Sequence, residues 1–489
     1  MPIRPQVKQL GTNSAIYGLG NLLNKLAAFL LIPVYTKNIS ISDVGIFALF
    51  EMMEIILLTL APLGIMRAMW RFFPDKTYSQ KTIFSSAYTG IILINIVALA
   101  AIGSFYKQIG ILFGLEINQM IMVLVILLNI ILALSTNFLL SIWQYHQKAS
   151  QYIILTVLQF ISILILSSFF VIYYDMGLWG LLLGKTFVLG IIFIFSLFLI
   201  TKKYMVMPSY VLWTKLLKYG APFIFLSLVA PILTLSSRLF LRLFMSLDDI
   251  AVYFIAFKFG MLINMFLVVP LQRGLIPMIY SAGIEQKSKI IYQDMLFYYS
   301  IIGSIMFLGI SLLTKPILGI ITNPNYLIGA GLIPIVAFAY YLAGFQHFFT
   351  ASAAIHNKTG RIAIASIFTI LTNFGLNLIL IKNYGINGAA WATLISYFIL
   401  SLSIYVISYR LEQFDWGFKR LIKVISITLI IYICTTILNE IYQNLNILIS
   451  LLSIIIFIVI LKITQILGDR EINGIKSIIS KLGEISKRK

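Results

Sequence analysis

Apolar stretches about 20 residues long recur along the whole chain, separated by short polar segments that carry most of the charges. A helix needs roughly 20 apolar residues to cross the hydrocarbon core of a bilayer, so each stretch predicts a transmembrane helix. The shorter, alternating segments typical of membrane barrels do not fit this pattern. Fourteen spans are predicted, at residues 11–36, 44–70, 82–105, 119–143, 151–173, 178–201, 213–237, 250–272, 290–313, 326–350, 361–381, 387–409, 421–438 and 444–467.

The composition agrees with this pattern. Of the 489 residues, 60% are hydrophobic and only 11% are charged, and the mean hydropathy is +0.99, which a soluble domain does not reach. We therefore expect an all-α polytopic membrane protein. The first span is too long for a signal peptide and no cleavage site follows it, so it is expected to be retained. The single cysteine, Cys434, excludes a disulfide framework.

The formal net charge of +20 is distributed unevenly between alternate loops. If the N-terminus is cytoplasmic, most lysines and arginines fall on the cytoplasmic side, as the positive-inside rule requires. Both termini are then cytoplasmic. Topology and contact with anionic headgroups account for the charge, so membrane lipids are expected as partners and nucleic acid is not. The basic residues assigned to the opposite side are Lys37, Lys107, Arg238, Arg242, Lys315 and Lys382.

Three short matches at nearly one offset indicate an internal repeat. An even number of spans separates the equivalent points, so the two halves have the same orientation across the membrane. The prediction is two six-helix lobes in parallel repeat, residues 1–206 and 207–411, followed by an additional helical pair and basic tail, residues 412–489. The matches are "DVGIFALF" from Asp43 with "DIAVYFIAF" from Asp249, "HQK" from His146 with "HNK" from His356, and "GLWGLL" from Gly177 with "GINGAA" from Gly385.

Two of the repeated features predict structure rather than chemistry. The Gly-x-x-Gly segments 177–180 and 385–388 are expected to form a tight turn followed by a close helix contact. His146 and His356 fall at predicted helix ends, where interfacial hydrogen bonding is expected. With three histidines and one cysteine in the chain, no metal site and no cofactor are expected.

Charged residues inside the spans are the candidate functional residues, because a charge at the bilayer centre costs about 2.5–3.5 kcal/mol on insertion scales. Lys25 lies roughly 16 Å deep in the first span. Glu54 lies at the same depth on the returning span, and Glu51 lies one turn nearer the outside. A Lys25–Glu54 ion pair that fixes helix packing and a role in transport are both open, and the two are compatible.

Further deep or terminal cations have no acidic residue close by in sequence. Lys258 lies about 14 Å below the outer surface by helix rise, and Lys185 lies a third of the way into its span. Arg238 and Arg242 are assigned to the outer end of their span, where snorkelling to headgroups is expected. Among the charged residues predicted deep in the membrane, lysines outnumber glutamates. This excess of positive charge suits an anionic substrate such as a pyrophosphate headgroup.

The segments "GTNSAIYGLGNLLNKLAAFLLIPVYTKNISISDVGIFAL" and "NYGINGAAWATLISY" resemble the polysaccharide transporters of the multidrug, oligosaccharidyl-lipid and polysaccharide (MOP) exporter superfamily. The closest resemblance is to the Wzx-type flippases of O-antigen and capsule pathways. It implies transfer of a polyprenyl-pyrophosphate-linked oligosaccharide to the outer leaflet of the cell's inner (cytoplasmic) membrane through a cation-lined cavity. Polysaccharide polymerase machinery would be a further partner.

By that resemblance Lys25, Lys258 and, with less support, Lys185 are predicted to bind the pyrophosphate. Glu51 and Glu54 are predicted to act in ion coupling or gating. Two other functions remain open. A cation-coupled multidrug exporter of the same superfamily would make the two glutamates central, and a membrane enzyme such as a polymerase or ligase would need a long external loop for its catalytic groups, which the sequence lacks. We therefore expect a transporter and not an enzyme.

Overall fold

The computed structural model describes residues 29–74, 77–282, 286–356, 358–442 and 445–467. Within these ranges the chain is helical and contains no strand. The helices are α1 Ile32–Asn38, α2 Ile41–Leu60, α3 Ile65–Phe72, α4 Gln80–Gly103, α5 Tyr106–Phe113, α6 Met122–Tyr145, α7 Ala149–Ile172, α8 Gly177–Tyr204, α9 Tyr210–Phe244, α10 Leu247–Gly260, α11 Val269–Ala282, α12 Gln286–Ile321, α13 Leu332–Ile355, α14 Thr359–Leu411, α15 Phe418–Ile441 and α16 Asn446–Ile463.

Twelve helical segments of the described residues are long and apolar enough to cross a membrane. One of them, Gly360–Leu411, contains two of the predicted spans, because Gly385 interrupts α14 with φ 57° and ψ −135°. The first predicted span lies mostly outside the described residues, and α1 is its end. The structure is therefore that of an all-α, multi-pass membrane protein with about fourteen spans, as the hydropathy pattern predicts.

The chain divides into two compact units. The first comprises Met1–Lys258, Ile321–Leu332 and Ala363–Ser396, and the second comprises Phe259–Ile320, Ile333–Ile362 and Tyr397–Lys489. These units reflect packing, whereas the predicted lobes, residues 1–206 and 207–411, follow the sequence repeat. The predicted lobes and the separate pair at 412–489 stay a prediction.

Repeat-related positions share local structure. Helix α2 begins with Ser40 as its N-cap: the Asp43 N–H donates to Ser40 Oγ (3.1 Å), and Ser40 Oγ donates to the Asp43 carboxylate (2.7 Å). Helix α10 begins in the same way, with Ser246 and Asp249 making the equivalent bonds at 3.2 and 2.7 Å. Each pair satisfies backbone groups that a helix start leaves unpaired. The same chemistry therefore fixes where both helices begin.

The prediction for the two Gly-x-x-Gly segments is confirmed. Gly177 and Gly385 both have positive φ, 51° and 57°, which glycine adopts without strain. The second glycine of each segment packs closely: a Cβ on Gly180 would meet the Phe170 backbone at 3.0 Å, and one on Gly388 would overlap the Leu380 carbonyl. Each segment thus joins a turn to a close helix contact.

Helix α2 is interrupted before α3 at residues 61–64, where Leu63 and Gly64 have positive φ. A break in the hydrocarbon region leaves backbone groups without their helical partners. Asn95 of α4 satisfies one of them, because its side-chain amide donates to the Ala61 carbonyl at 2.7 Å. The chain after α10 is interrupted too, by a π-helical turn at Asn264–Val268. Pro62 and Pro270 lie at or beside these two interruptions.

Candidate functional site

Two carboxylates on one face of α2 form the centre of the candidate site. Glu51 and Glu54 are three residues apart, which places them on neighbouring turns of the same helix face. Helices α8, α9 and α10 each bring one cation to these carboxylates: Lys185, Arg238 and Lys258. The site therefore joins segments that are far apart in sequence, and all of them belong to the first compact unit.

Glu51 is shared between two buried cations. Lys258 Nζ donates to Glu51 Oε1 at 2.9 Å, and Arg238 Nη1 donates to Glu51 Oε2 at 3.1 Å. The side chains of Arg238 and Lys258 are only 3% and 8% exposed. Arg238 Nη1 also donates to the Ala48 carbonyl at 3.1 Å, one turn earlier on α2. A charge buried this deeply lowers the stability of the fold unless a counter-charge pairs with it. Glu51 supplies that counter-charge to both cations.

An aromatic ring lies against both of these cations. The guanidinium carbon of Arg238 is 4.7 Å from the centroid of the Phe254 ring, and Lys258 Nζ is 4.4 Å from it. These distances are within the range of a cation–π contact. Tyr35 of α1 and Phe47 of α2 pack around Phe254, with ring centroids 6.3 and 6.1 Å away. Phe254 thus contacts both cations, and Tyr35 and Phe47 pack against Phe254.

Glu54 makes a separate pair with Lys185. Lys185 Nζ donates to both Glu54 oxygens, at 2.6 and 2.5 Å. The Lys185 side chain is 30% exposed whereas that of Glu54 is 10% exposed. Lys185 is thus the most accessible of the three cations.

Both pairs line one cavity of about 240 Å³. Its charged lining residues are Glu51, Glu54, Lys185 and Lys258, and Tyr35 and Gln159 add polar groups to walls that are otherwise mostly apolar. A water needs roughly 10–15 Å³ by this measure, so the cavity has room for several waters or for a small charged group. Deep ionisable groups around a wet cavity are typical of a substrate or ion pathway.

Four of the five residues proposed from the sequence therefore meet in one place. Glu51, Glu54, Lys185 and Lys258 line the same cavity, although the sequence showed no acidic partner for either lysine. The fifth, Lys25, lies outside the described residues, so its predicted pairing with Glu54 stays a prediction. In the structure both Glu54 oxygens accept hydrogen bonds from Lys185.

Arg238 corrects the sequence analysis. It was assigned to the end of its span and expected to snorkel to headgroups, but it is buried and hydrogen bonded to Glu51. The physical reason is that α9 runs on to Phe244, six residues or about 9 Å beyond Arg238, which places the residue more than one turn below the helix end. The signal in the sequence was the leucine- and phenylalanine-rich segment that continues through residues 239–244.

Metal ligands are not assembled in the part of the chain that is described: no group of three or more histidine, cysteine, aspartate or glutamate side chains is close enough to hold an ion. His146 lies just after α6, stacked against the Tyr204 ring at 6.2 Å and tilted against Phe84. Burial, and to a smaller extent the charge of Lys148, lower the pKa of His146 below its usual value. It is packed as an interfacial aromatic residue.

Comparison with known sequences identifies the family. The family model described as "Polysaccharide biosynthesis protein" matches residues 10–282, more than half of the chain, and this match contains every charged residue of the site. The chain belongs to the polysaccharide biosynthesis protein family. No curated protein sequence matches the chain significantly.

Solved structures show the fold. The chain is similar to a structure described as "Lipid II flippase MurJ, inward closed conformation", with a TM-score of 0.73 and 19% identity over 93% of this chain and 99% of that one. It is also similar to an inward-facing multidrug resistance MATE family transporter of the MOP superfamily, with a TM-score of 0.65 and 15% identity over 81% and 94% of the two chains. A mutant form of the Vibrio cholerae MATE transporter VcmN matches with a TM-score of 0.56 and 14% identity over 83% and 97%. The chain therefore has the fold of these transporters, as the resemblance implies.

Proposed function

We propose that the protein is a flippase that moves a polyprenyl-pyrophosphate-linked oligosaccharide from the cytoplasmic to the outer leaflet by alternating access. The substrate would serve the synthesis of a cell-surface polysaccharide such as O-antigen or capsule. Family membership, the MOP fold and the charged cavity all support this function. The membrane would be the cell's inner (cytoplasmic) membrane, with both chain termini in the cytoplasm.

The observation that carries the proposal is the balance of charge in the cluster of ion pairs beside the cavity. Lys185, Arg238 and Lys258 face Glu51 and Glu54, so three cations meet two carboxylates. Lys25, predicted at the depth of Glu54, would add a fourth cation. A site with excess positive charge favours an anionic group over a cationic one.

The substrate's pyrophosphate would bind by exchanging partners with the carboxylates. Each lysine ammonium is a point charge that can turn from a carboxylate to a phosphate oxygen without large movement. Lys185, the most exposed cation, would meet the pyrophosphate first, and Lys258 would follow. Arg238 would stay with Glu51 and the Ala48 carbonyl, and would hold α2 and α9 together during the exchange.

Glu51 and Glu54 would then act in gating or ion coupling. A carboxylate that loses its lysine to the substrate is left buried and charged, which is costly unless a proton or another cation neutralises it. Uptake of that cation would favour the substrate-bound state. Its release would restore the lysine–glutamate pairs and expel the pyrophosphate. The interruptions at residues 61–64 and 264–268 are the places where the helices could bend during this cycle.

The multidrug exporter of the same fold is the second candidate, because carboxylates in the cavity could bind a cationic drug. Each carboxylate is already paired with at least one cation of the chain, however, and a cationic substrate would have to displace it. The pyrophosphate carries the opposite charge, and the net positive charge of the three cations and two carboxylates favours its exchange for the carboxylates. We therefore place the flippase first.

Leaflet-resolved labelling of lipid-linked oligosaccharide, in cells with and without the protein, tests the function. Cells without it are expected to accumulate the substrate on the cytoplasmic face. Wild type and Lys107→Gln, a control at an exposed lysine outside the cavity, should both relieve the accumulation. Lys25→Gln should not, whereas Lys25→Arg should. Unchanged sidedness together with altered resistance to cationic drugs would instead identify the exporter.

A further inference from the structure

Tyr35 of α1 has a buried hydroxyl that makes no hydrogen bond to any of the described residues. The residue is 1% exposed, and it lines the cavity together with Glu51 and Lys258. A hydroxyl that is buried without a partner lowers the stability of a fold, and native proteins contain few of them. Such a group at the wall of a binding cavity is therefore a candidate contact for the ligand that enters the cavity.

Aromatic packing places Tyr35 beside the Glu51–Lys258 pair. Its ring is stacked on that of Phe254, with the centroids 6.3 Å apart and an angle of 27° between the planes. The Phe47 ring packs against the Tyr35 ring with a centroid distance of 5.5 Å. Lys258 Nζ lies 4.4 Å from the centroid of the same Phe254 ring. One ring therefore contacts both Tyr35 and Lys258, and both of these residues line the cavity.

The other polar side chains that line the cavity are either paired or partly exposed. Its lysines and glutamates form ion pairs with one another. Ser167 Oγ donates to the Leu181 carbonyl at 3.3 Å, and Gln159 is only half-buried. Among the described residues that line the cavity, Tyr35 is thus the one whose polar group is both fully buried and unpaired.

The chemistry of the tyrosine hydroxyl indicates what it would bind. The hydroxyl can donate one hydrogen bond, whereas an oxyanion can only accept them. The excess positive charge of the ion-pair cluster favours an anion in the cavity. An anion bound by Lys258 would bring its oxygens beside Tyr35, and a hydrogen bond to a charged oxygen is roughly twice as strong as one between neutral groups. A phosphate therefore suits both the lysine and the tyrosine.

The cavity offers such an anion two positions that differ in accessibility. Glu51 and Glu54 are three residues apart, with Cβ atoms about 5–6 Å from each other, so the lysines that they bind are anchored one turn apart on α2. The Lys185 side chain is 30% exposed and that of Lys258 is 8% exposed. A single phosphate can be bound by the accessible lysine alone, whereas two linked phosphates can be bound by both lysines.

We propose, on the basis of the flippase function, that Tyr35 donates a hydrogen bond to one phosphate of a lipid-linked diphosphate and thereby selects a diphosphate over a monophosphate. Lys258 would bind the same phosphate, and the other phosphate would lie at Lys185. A monophosphate would stay at Lys185 and leave the tyrosine hydroxyl unpaired. The hydroxyl gains its partner only when both positions are occupied, so it strengthens the binding of the diphosphate alone.

Native mass spectrometry of the purified full chain, titrated with undecaprenyl diphosphate or undecaprenyl monophosphate, tests the proposal. Tyr35→Phe removes only the hydroxyl, so it should weaken binding of the diphosphate about tenfold and change binding of the monophosphate by no more than about twofold. Tyr326→Phe is the matched control. The Tyr326 hydroxyl is also buried and unpaired among the described residues, but Tyr326 does not line the cavity. This control should change neither affinity.

Thermal unfolding without lipid separates binding from folding. Because Tyr35→Phe removes an unpaired buried hydroxyl, the variant should unfold at the same temperature as wild type or at a higher one. A lower unfolding temperature would show that the hydroxyl supports the fold, and would overturn the proposal. So would an unchanged affinity for the diphosphate, or an equal loss of affinity for both lipids. The double variant Glu54→Gln/Lys185→Gln should weaken both lipids, and a wild type that binds neither would contradict the flippase function itself.

Discussion

At the residue scale, Glu51 and Glu54 lie on neighbouring turns but in different surroundings. Glu51 compensates two cations that are almost fully buried, whereas Glu54 compensates Lys185, whose side chain is 30% exposed. A buried ion loses several kcal/mol when its partner is removed, and an ion that can be hydrated loses much less. The two glutamates are therefore expected to differ in their contribution to stability.

We expect Glu51→Gln to lower the free energy of unfolding by about 3–5 kcal/mol, since Arg238 and Lys258 then lie buried without a counter-charge. Glu54→Gln, the matched change one turn away, should cost about 1 kcal/mol or less. Denaturant titration of both variants in detergent measures the difference. Equal losses would show that the two carboxylates do not differ as the exposures of their partners imply.

The sequence predicts the depth of the site residues but not their partners. The depth of Glu51, Glu54 and Lys258 followed from counting helix rise, and all three line the cavity. Their pairing did not follow, because Lys185 and Lys258 meet their acids across 131 and 207 residues of chain. Arg238 departs from the prediction because α9 continues seven residues beyond the predicted end of its span. Long-range pairing and exact helix ends depend on tertiary contacts that a single sequence does not display.

At the scale of elements, the starts of α2 and α10 determine whether Glu51 can reach Lys258. Gly45 lies in the first turns of α2 directly against the Leu247 carbonyl at the start of α10. The serine side chains of Ser40 and Ser246, which accept from the N–H groups of Asp43 and Asp249, fix where both helices begin. Glu51 lies eight residues after Asp43 and Lys258 nine after Asp249, so the two side chains arrive at similar depth.

Gly45→Ala is expected to destabilise the protein, because the added methyl would overlap the Leu247 carbonyl and push α2 away from α10. Gly190→Ala in α8 is the control: a Cβ there meets nothing within 4 Å, and alanine favours a helix by about 1 kcal/mol. Thermal unfolding should therefore shift down for Gly45→Ala and not for Gly190→Ala. Unchanged stability of Gly45→Ala would mean that this contact does not hold the helices together.

The predicted elements agree closely with the observed ones, since each of the thirteen spans predicted after the first matches described helix. Hydropathy predicts these segments well because a chain that crosses a bilayer without forming a closed barrel must pair its backbone groups within helices. Local departures such as the π-helical turn at Asn264–Val268 are not encoded in hydropathy. Pro62 and Pro270 lie at or near the interruptions and are the sequence signal for them.

At the scale of the whole molecule, the distribution of charge predicts the topology. Cysteine labelling tests it, since Cys434 is the single cysteine and can be removed as Cys434→Ser. In that background, Lys107→Cys should react with a membrane-impermeant maleimide added outside, and Gln147→Cys should react only after permeabilisation. Labelling of Gln147→Cys from outside would reverse the orientation and with it the proposed direction of transport.

The central claim is that the cations of the cavity bind the pyrophosphate and do not merely hold helices together. The double variant Glu54→Gln/Lys185→Gln separates these roles, because replacing both partners of an ion pair by neutral groups of similar size is often close to neutral for stability. The measurement is translocation of a polyprenyl-pyrophosphate-linked oligosaccharide in vesicles reconstituted with wild type, the double variant or Lys107→Gln. Our account predicts a double variant that unfolds like wild type and translocates at least about tenfold more slowly, with Lys107→Gln unaffected. Full translocation by a stable double variant would contradict it.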